Sequence, residues 1–326
     1  LAALEEAREA AAGEKNLKWS LDYGGSLEQA ELINLPPVHE TGLDGEGVIV
    51  GLIDTGFEFA HEAMQNVDIL ATYDFINDDT DVSDGPGDPE YQAYHGTEVL
   101  SLLAGYKEGD MIGAAYKASF ILAKTEEIDR EDPEEEDNFI AALEWMEGLG
   151  VDVVSSQIGY VDWYNYSDMD GLTAPITIAC DMAATLGVVV VTAAGNLNGE
   201  PGLPPMMAPA DGRHVITVGS VMLDGQVFYT SSRGPTYDGR TKPDLMAMGA
   251  GAVVASYHAD WVYPHVFGTS YATAQIAGVV TLMLERLPNL SPWQVREALR
   301  MTASQADQPD NDYGWGIVDA QAAVNY

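Results

Sequence analysis

Three side chains in this 326-residue sequence have the types and surroundings that nucleophilic catalysis needs. Ser270 lies in Gly268-Thr269-Ser270-Tyr271-Ala272-Thr273-Ala274, at the start of an apolar, helix-like stretch that runs to Leu287. A helix start offers unpaired backbone N–H groups and a positive dipole end, both suited to an oxyanion forming beside a hydroxyl. A serine hydroxyl is a weak nucleophile at neutral pH, so it needs a base, and the base needs an orienting group. Asp54 follows the continuous apolar run at 48–53, which reads as a buried parallel strand. Open α/β sheets place their sites at such carboxyl ends. His95 opens a second apolar, helix-like segment, His95-Gly96-Thr97-Glu98-Val99-Leu100-Ser101-Leu102-Leu103. Taken singly, such residues have plainer readings: a turn aspartate and a structural histidine, just as Asn196 after Gly195 reads as a left-handed turn residue.

Positioning three such distant residues requires a scaffold. Apolar strands are expected at 48–53, 69–73, 119–123, 151–155, 188–192 and 215–221, interleaved with helices at 138–148, 173–186, 269–287 and 292–301. Strands alternating with helices predict an α/β fold, a three-layer, doubly wound and mostly parallel sheet with helices on both faces. Residues 1–20 read as a polar, helical lead-in and 21–326 as one catalytic domain. There is no internal repeat.

These motifs together resemble the subtilisin-like serine proteases. The resemblance rests on Asp54-Thr55-Gly56 after an apolar strand, His95-Gly96-Thr97, Ala193-Ala194-Gly195-Asn196 and Gly268-Thr269-Ser270 followed by Ala272-Thr273. Flanking pieces agree, Ser231-Ser232-Arg233-Gly234-Pro235 and Tyr313-Gly314-Trp315-Gly316-Ile317-Val318-Asp319, and the match extends over residues 22–326. The chain order Asp, His, Ser is that of subtilisin, with separations of 95 − 54 = 41 and 270 − 95 = 175 residues.

The resemblance implies a serine endopeptidase that forms an acyl-enzyme. His95 would act as general base and then acid, Asp54 would orient it, and the Asn196 amide with the Ser270 backbone N–H would hold the oxyanion. It also implies that an extended peptide pairs with Gln157-Ile158-Gly159, while Ala194 and Gly195 border the pocket for the residue before the cut. Gln157 stands where the family has a small serine, so it is expected either to narrow the cleft, to add an amide contact, or to be a tolerated change. Ala274 and Met248 replace prolines of the pattern. A peptide-ligating acyl transferase and a catalytically silent binding module on the same fold remain alternatives. By the same resemblance the enzyme is secreted, and made with a signal peptide and a propeptide that inhibits it; we expect a monomer acting on proteins or peptides.

Composition bounds the rest. Fourteen Lys and Arg against 52 Asp and Glu give a net charge of −38, which argues against nucleic acid as a partner and favours adaptation to concentrated salt. No apolar run reaches the roughly 20 residues that span a bilayer, so no membrane partner is expected. Cys180, the single cysteine, sits in an apolar stretch and reads as a packing residue. Catalysis requires no cofactor on this reading. Structural calcium is weighed against a merely solvated loop at the acidic residues 77–84, with no metal ligand assigned. A second acidic run, 126–137, reads as surface charge, with steering of basic substrates as its alternative.

Overall fold

The computed structural model describes residues 18–198 and 200–326. The apolar runs form a seven-stranded sheet: β1 (Ile49–Asp54), β2 (Asp68–Asp74), β3 (Ser119–Lys124), β4 (Val153–Ser156), β5 (Val189–Ala193), β6 (Ile216–Val221) and β7 (Leu245–Met248). Their order is β2-β3-β1-β4-β5-β6-β7, and every pairing is parallel. Side chains alternate between faces along each strand, so both faces need cover. Val50, Leu52, Val153, Val189 and Val191 enter one apolar core, whereas Ile53, Val154 and Val190 enter the other.

Five longer helices supply the cover: α1 (Tyr94–Ala104), α2 (Pro133–Gly148), α3 (Pro175–Leu186), α4 (Thr269–Arg286) and α5 (Pro292–Thr302). Helices α1 and α4 pack on the first face and against each other; α2 and α3 pack together on the second. The three layers expected from the alternation are therefore present. Strand order switches at β1, whose neighbours β3 and β4 come from opposite winding directions, and ligands of such sheets bind at this switch point.

Helix α4 is apolar all round, and every residue from Thr269 to Leu284 is buried. Its polar groups are answered locally. Thr273 and Thr281 hydroxyls donate to the carbonyls one turn back, each at 2.8 Å. Gln275 Nε2 donates to the Met248 and Tyr271 carbonyls at 2.6 and 2.9 Å. Met248 thus ends a strand rather than forming a turn, and Ala274 simply continues the buried helix.

Other boundaries differ from expectation. Helix α2 starts at Pro133, five residues before the expected 138, because Asp132 and Glu135 close a capping box ahead of a proline at the first helical position. Strand β7 was not anticipated: its short run Leu245–Met248 lacks a periodic signal and is fixed by pairing with β6. The expected lead-in helix falls on residues 1–17, outside the described residues, and 18–20 form a bend. Among the described residues no helix is long and apolar enough to cross a membrane.

Candidate active site

Asp54 is the last residue of β1 and is fully buried. Its Oδ1 accepts hydrogen bonds from His95 Nδ1 at 2.7 Å, from the Thr55 backbone at 2.8 Å and from the Thr55 hydroxyl at 3.3 Å. His95 stands in the first turn of α1, its side chain 17% exposed, so one ring nitrogen faces the carboxylate and the ring edge still reaches solvent. Close approach of α1 to β1 depends on Gly96. A Cβ there would strike the Gly56 carbonyl and lie 3.1 Å from Asp54 Cβ. Burial alone would lower the His95 pKa; the charge and hydrogen bond of Asp54 outweigh it, and the net shift is upward.

Ser270 lies in the first turn of α4 and is nearly buried. Its neighbours on either side tie it to the other elements. Tyr271 places its ring 5.9 Å from that of His95 and donates from its hydroxyl to Glu98 Oε2 at 2.9 Å. Glu98 sits one turn beyond His95, so this buried bond joins the helix of the histidine to the helix of the serine. Burial raises the Glu98 carboxyl, against the Tyr271 hydrogen bond and the charge of His95. On the other side, Thr269 donates its backbone N–H to Asn196 Oδ1 at 3.0 Å. The Thr269 hydroxyl donates to the same oxygen at 3.4 Å, and Gly268 caps α4 without a side-chain hydrogen bond. Asp54 and His95 are thus brought into direct contact, and Asn196 reaches the serine turn. No hydrogen bond links the Ser270 hydroxyl to His95 among the described residues; such contacts are often long until substrate binds.

Asn196 is held by its loop. Gly195, at φ +105°, occupies the left-handed region open to glycine, and its N–H donates to Thr269 Oγ1 at 3.2 Å. Ser232 N donates to the Gly195 carbonyl at 2.9 Å and Leu197 N to Ser232 Oγ at 3.1 Å, so the Ser231-Ser232 segment clamps this turn. Across the cleft mouth, Gln157, Ile158 and Gly159 follow β4. Gln157 is buried and donates to Ser155 Oγ at 2.7 Å. Ile158 is half-buried.

The two acidic runs are organised from within. The Lys124 ammonium is buried and pairs with Asp74 and Asp88 at 2.9 and 2.7 Å, beneath the loop 77–84. Asp74 also accepts from the Ile76 and Asn77 backbones, and Asp81 from Ser83. Among the described residues no group of three or more Asp, Glu, His or Cys side chains converges as a metal site would require. In the run 126–137, Tyr160 and Thr125 hydroxyls donate to Glu126 Oε1 at 2.6 and 2.8 Å. Arg130 pairs with Glu127, Asp132 and Glu134. Arg130 is the one cation within the run and offsets only part of its charge.

Sequence reasoning missed Glu98 and Tyr271 as partners. Glu98 did carry a signal, a lone carboxylate one turn after His95 in an otherwise apolar segment.

A family model described as the subtilase family, peptidase S8, matches residues 45–316. Subtilisin DY of Bacillus licheniformis is 29% identical over 294 residues, covering 90% of this chain and 96% of its own. Subtilisin E of Bacillus subtilis is 28% identical over 307 residues, covering 94% and 71%. Among solved structures, fervidolysin from Fervidobacterium pennivorans, described as a keratinolytic enzyme related to subtilisin, superposes with a TM-score of 0.72 at 26% identity, covering 91% of this chain and 45% of that one. A protease from Pseudoalteromonas arctica PAMC 21717 shares the fold, with a TM-score of 0.72 at 24% identity over 94% and 99%. With the α/β architecture and a family match over most of its length, the chain is a serine protease, a hydrolase of peptide bonds, and belongs to the subtilase family.

Proposed function

We propose that Asp54, His95 and Ser270 act as one catalytic unit cleaving peptide bonds inside protein substrates. The observation that carries this reading is the 2.7 Å contact between buried Asp54 Oδ1 and His95 Nδ1 at the sheet's switch point, beside the helix whose first turn carries Ser270. Asp54 fixes the tautomer that leaves Nε2 as the acceptor, so His95 takes the hydroxyl proton as Ser270 Oγ attacks the scissile carbonyl. The bond from Oγ to the carbonyl carbon forms, the carbonyl π pair moves to oxygen, and the oxyanion meets the Asn196 amide and the Ser270 N–H. One such donor contributes about 3–4 kcal/mol to transition-state stabilisation. Collapse expels the amine, which receives the proton from His95; water then repeats the sequence on the acyl-enzyme.

The substrate would lie extended along Gln157-Ile158-Gly159, with the Ala194-Gly195 turn opposite, since pairing of this kind uses main-chain groups. The same reading makes the enzyme secreted and monomeric, released from a longer precursor whose propeptide occupies the cleft, and in need of no cofactor for the reaction.

Fluorophosphonate labelling tests it. One phosphonyl group is expected on Ser270, with neither label nor peptidase activity in Ser270→Ala. Labelling that survives Ser270→Ala would refute the assignment, and an unlabelled wild-type protein would mark a silent scaffold.

A further inference from the structure

Beside Ser270 the ends of two neighbouring strands separate, β4 into Gln157-Ile158-Gly159 and β5 into Ala194-Gly195-Asn196. The segment 206–208 crosses the gap beneath them. Ala208 exchanges both backbone hydrogen bonds with Tyr160, at 2.9 and 3.1 Å, and Met207 N donates to the Ala194 carbonyl at 3.3 Å. Met207 therefore sits between the two walls. A Cβ placed on Gly159 would lie 2.8 Å from Met207 Cγ and 3.1 Å from its sulfur, and one placed on Gly195 would lie 3.1 and 3.3 Å from the same atoms. Both walls of the slot are glycine at this level, so neither contributes a side chain, and the Met207 thioether is the one apolar side chain that meets both; Ser232 Oγ, 3.0 Å from a Cβ on Gly195, and the Ala208 carbonyl lie beside it. Met207 is half-buried. Gly195 directly precedes Asn196, whose Oδ1 holds Thr269 N, and this places the slot next to the nucleophile.

We propose that Met207 is a specificity-determining residue: it fills the slot that receives the side chain on the acyl side of the scissile bond, so the enzyme prefers small residues there and disfavours aromatic ones. The assignment rests on the proposed function above, because it takes Ser270 as the point of attack. A filled apolar slot has no room for a phenyl group unless the methionine leaves its place, and packed sites resist such additions. A single extra or missing methylene in an apolar pocket discriminates by about 10- to 200-fold.

The test uses enzyme whose active sites have first been counted with a fluorophosphonate. kcat/KM is then measured on succinyl-Ala-Ala-Pro-X-p-nitroanilides with X as Ala, Leu or Phe. Wild type is expected to favour Ala over Phe by about tenfold or more, and Met207→Gly and Met207→Ala to move the Phe-to-Ala ratio upward by about tenfold or more. A wild type that prefers Phe, or two titratable variants that leave the ratio unchanged, would overturn the proposal. Calorimetric binding of acetyl-Ala-Ala-Pro-Ala and acetyl-Ala-Ala-Pro-Phe to Ser270→Ala protein reads the slot without turnover. Tighter binding of the Ala peptide is expected, and equal affinities would overturn the role of Met207 even if hydrolysis stands. Absent labelling of wild type with a clear binding preference would instead overturn the catalytic reading and leave the slot assignment intact.

Discussion

At the scale of single residues, the contact between Asp54 and His95 ties activity and stability to pH in opposite directions. The carboxylate raises the imidazole pKa above its ordinary value of about 6.5. A group whose pKa is raised by folding adds stability that is fully present below the unfolded value and is lost as pH rises through the folded one. Catalysis needs the neutral base, so kcat/KM should climb through a midpoint above about 6.5. Asp54→Asn should lower that midpoint and, by favouring the wrong tautomer, reduce kcat by about 10⁴-fold. A pH–rate profile of both proteins checks this; an unchanged midpoint would detach the carboxylate from the base. The contact of Asp54 with His95 and that of Asn196 with the turn of Ser270 were legible in the sequence because each residue sits in a short motif. Met207 and the Tyr271–Glu98 bond were not, since both arise from segments that meet only after folding.

At the scale of elements, Asp244 shows how an unforeseen strand is held. It immediately precedes β7 and is fully buried, pairing with Lys242 Nζ at 2.9 Å, Arg296 Nε at 3.0 Å and Arg300. Its Oδ2 also accepts from Thr217 N at 2.8 Å, so one carboxylate joins β6, β7 and α5. Burial alone would raise this carboxyl; Arg296, Lys242 and Arg300 outweigh it and hold it well below its ordinary value. The resulting stability is present above the unfolded carboxylate value and is lost as pH falls toward the folded one. Asp244→Asn leaves buried cations uncompensated and should cost about 3–5 kcal/mol, read by denaturant unfolding at neutral pH. A loss below about 1 kcal/mol, the usual value of a surface pair, would show the hub to be solvated. Strand β7 escaped notice because charge pairing, which leaves no periodicity, anchors it. The early start of α2 was readable in Asp132-Pro133-Glu134-Glu135, where the acidic composition masked the cap.

The loop 77–84 gives a second prediction at this scale. With the Lys124 ammonium already seated between Asp74 and Asp88, a chelator should leave the melting temperature unchanged. Lys124→Met should lower it, because two buried carboxylates lose their counter-charge. A chelator-induced drop would instead reveal a divalent ion.

At the scale of the whole molecule, charge dominates. Among the described residues, eleven Lys and Arg are paired with carboxylates, and over the whole sequence 52 acidic residues far outnumber the 14 basic ones. Repulsion among the remainder is long-ranged in dilute buffer, where the screening length is about 10 Å at 0.1 M salt, and short-ranged at about 3 Å in 1 M. Melting temperature should therefore rise with sodium chloride across that range, as scanning calorimetry would register. A flat or falling curve would argue against salt adaptation. Architecture was the most legible feature at this scale: alternating apolar strands and helices leave few ways to cover both faces of one sheet.

The helix bearing Ser270 runs through the middle of the protein, with its burial nearly complete; His95 lies 270 − 95 = 175 residues before Ser270 in the chain and Asp54 270 − 54 = 216. During synthesis His95 and Asp54 leave the ribosome long before Ser270, and neither can cut anything alone. On the proposed reading, cutting capacity therefore waits until this late, buried helix is seated between its partners and the propeptide has left the cleft, so the first hydrolysed peptide bond would report both events together.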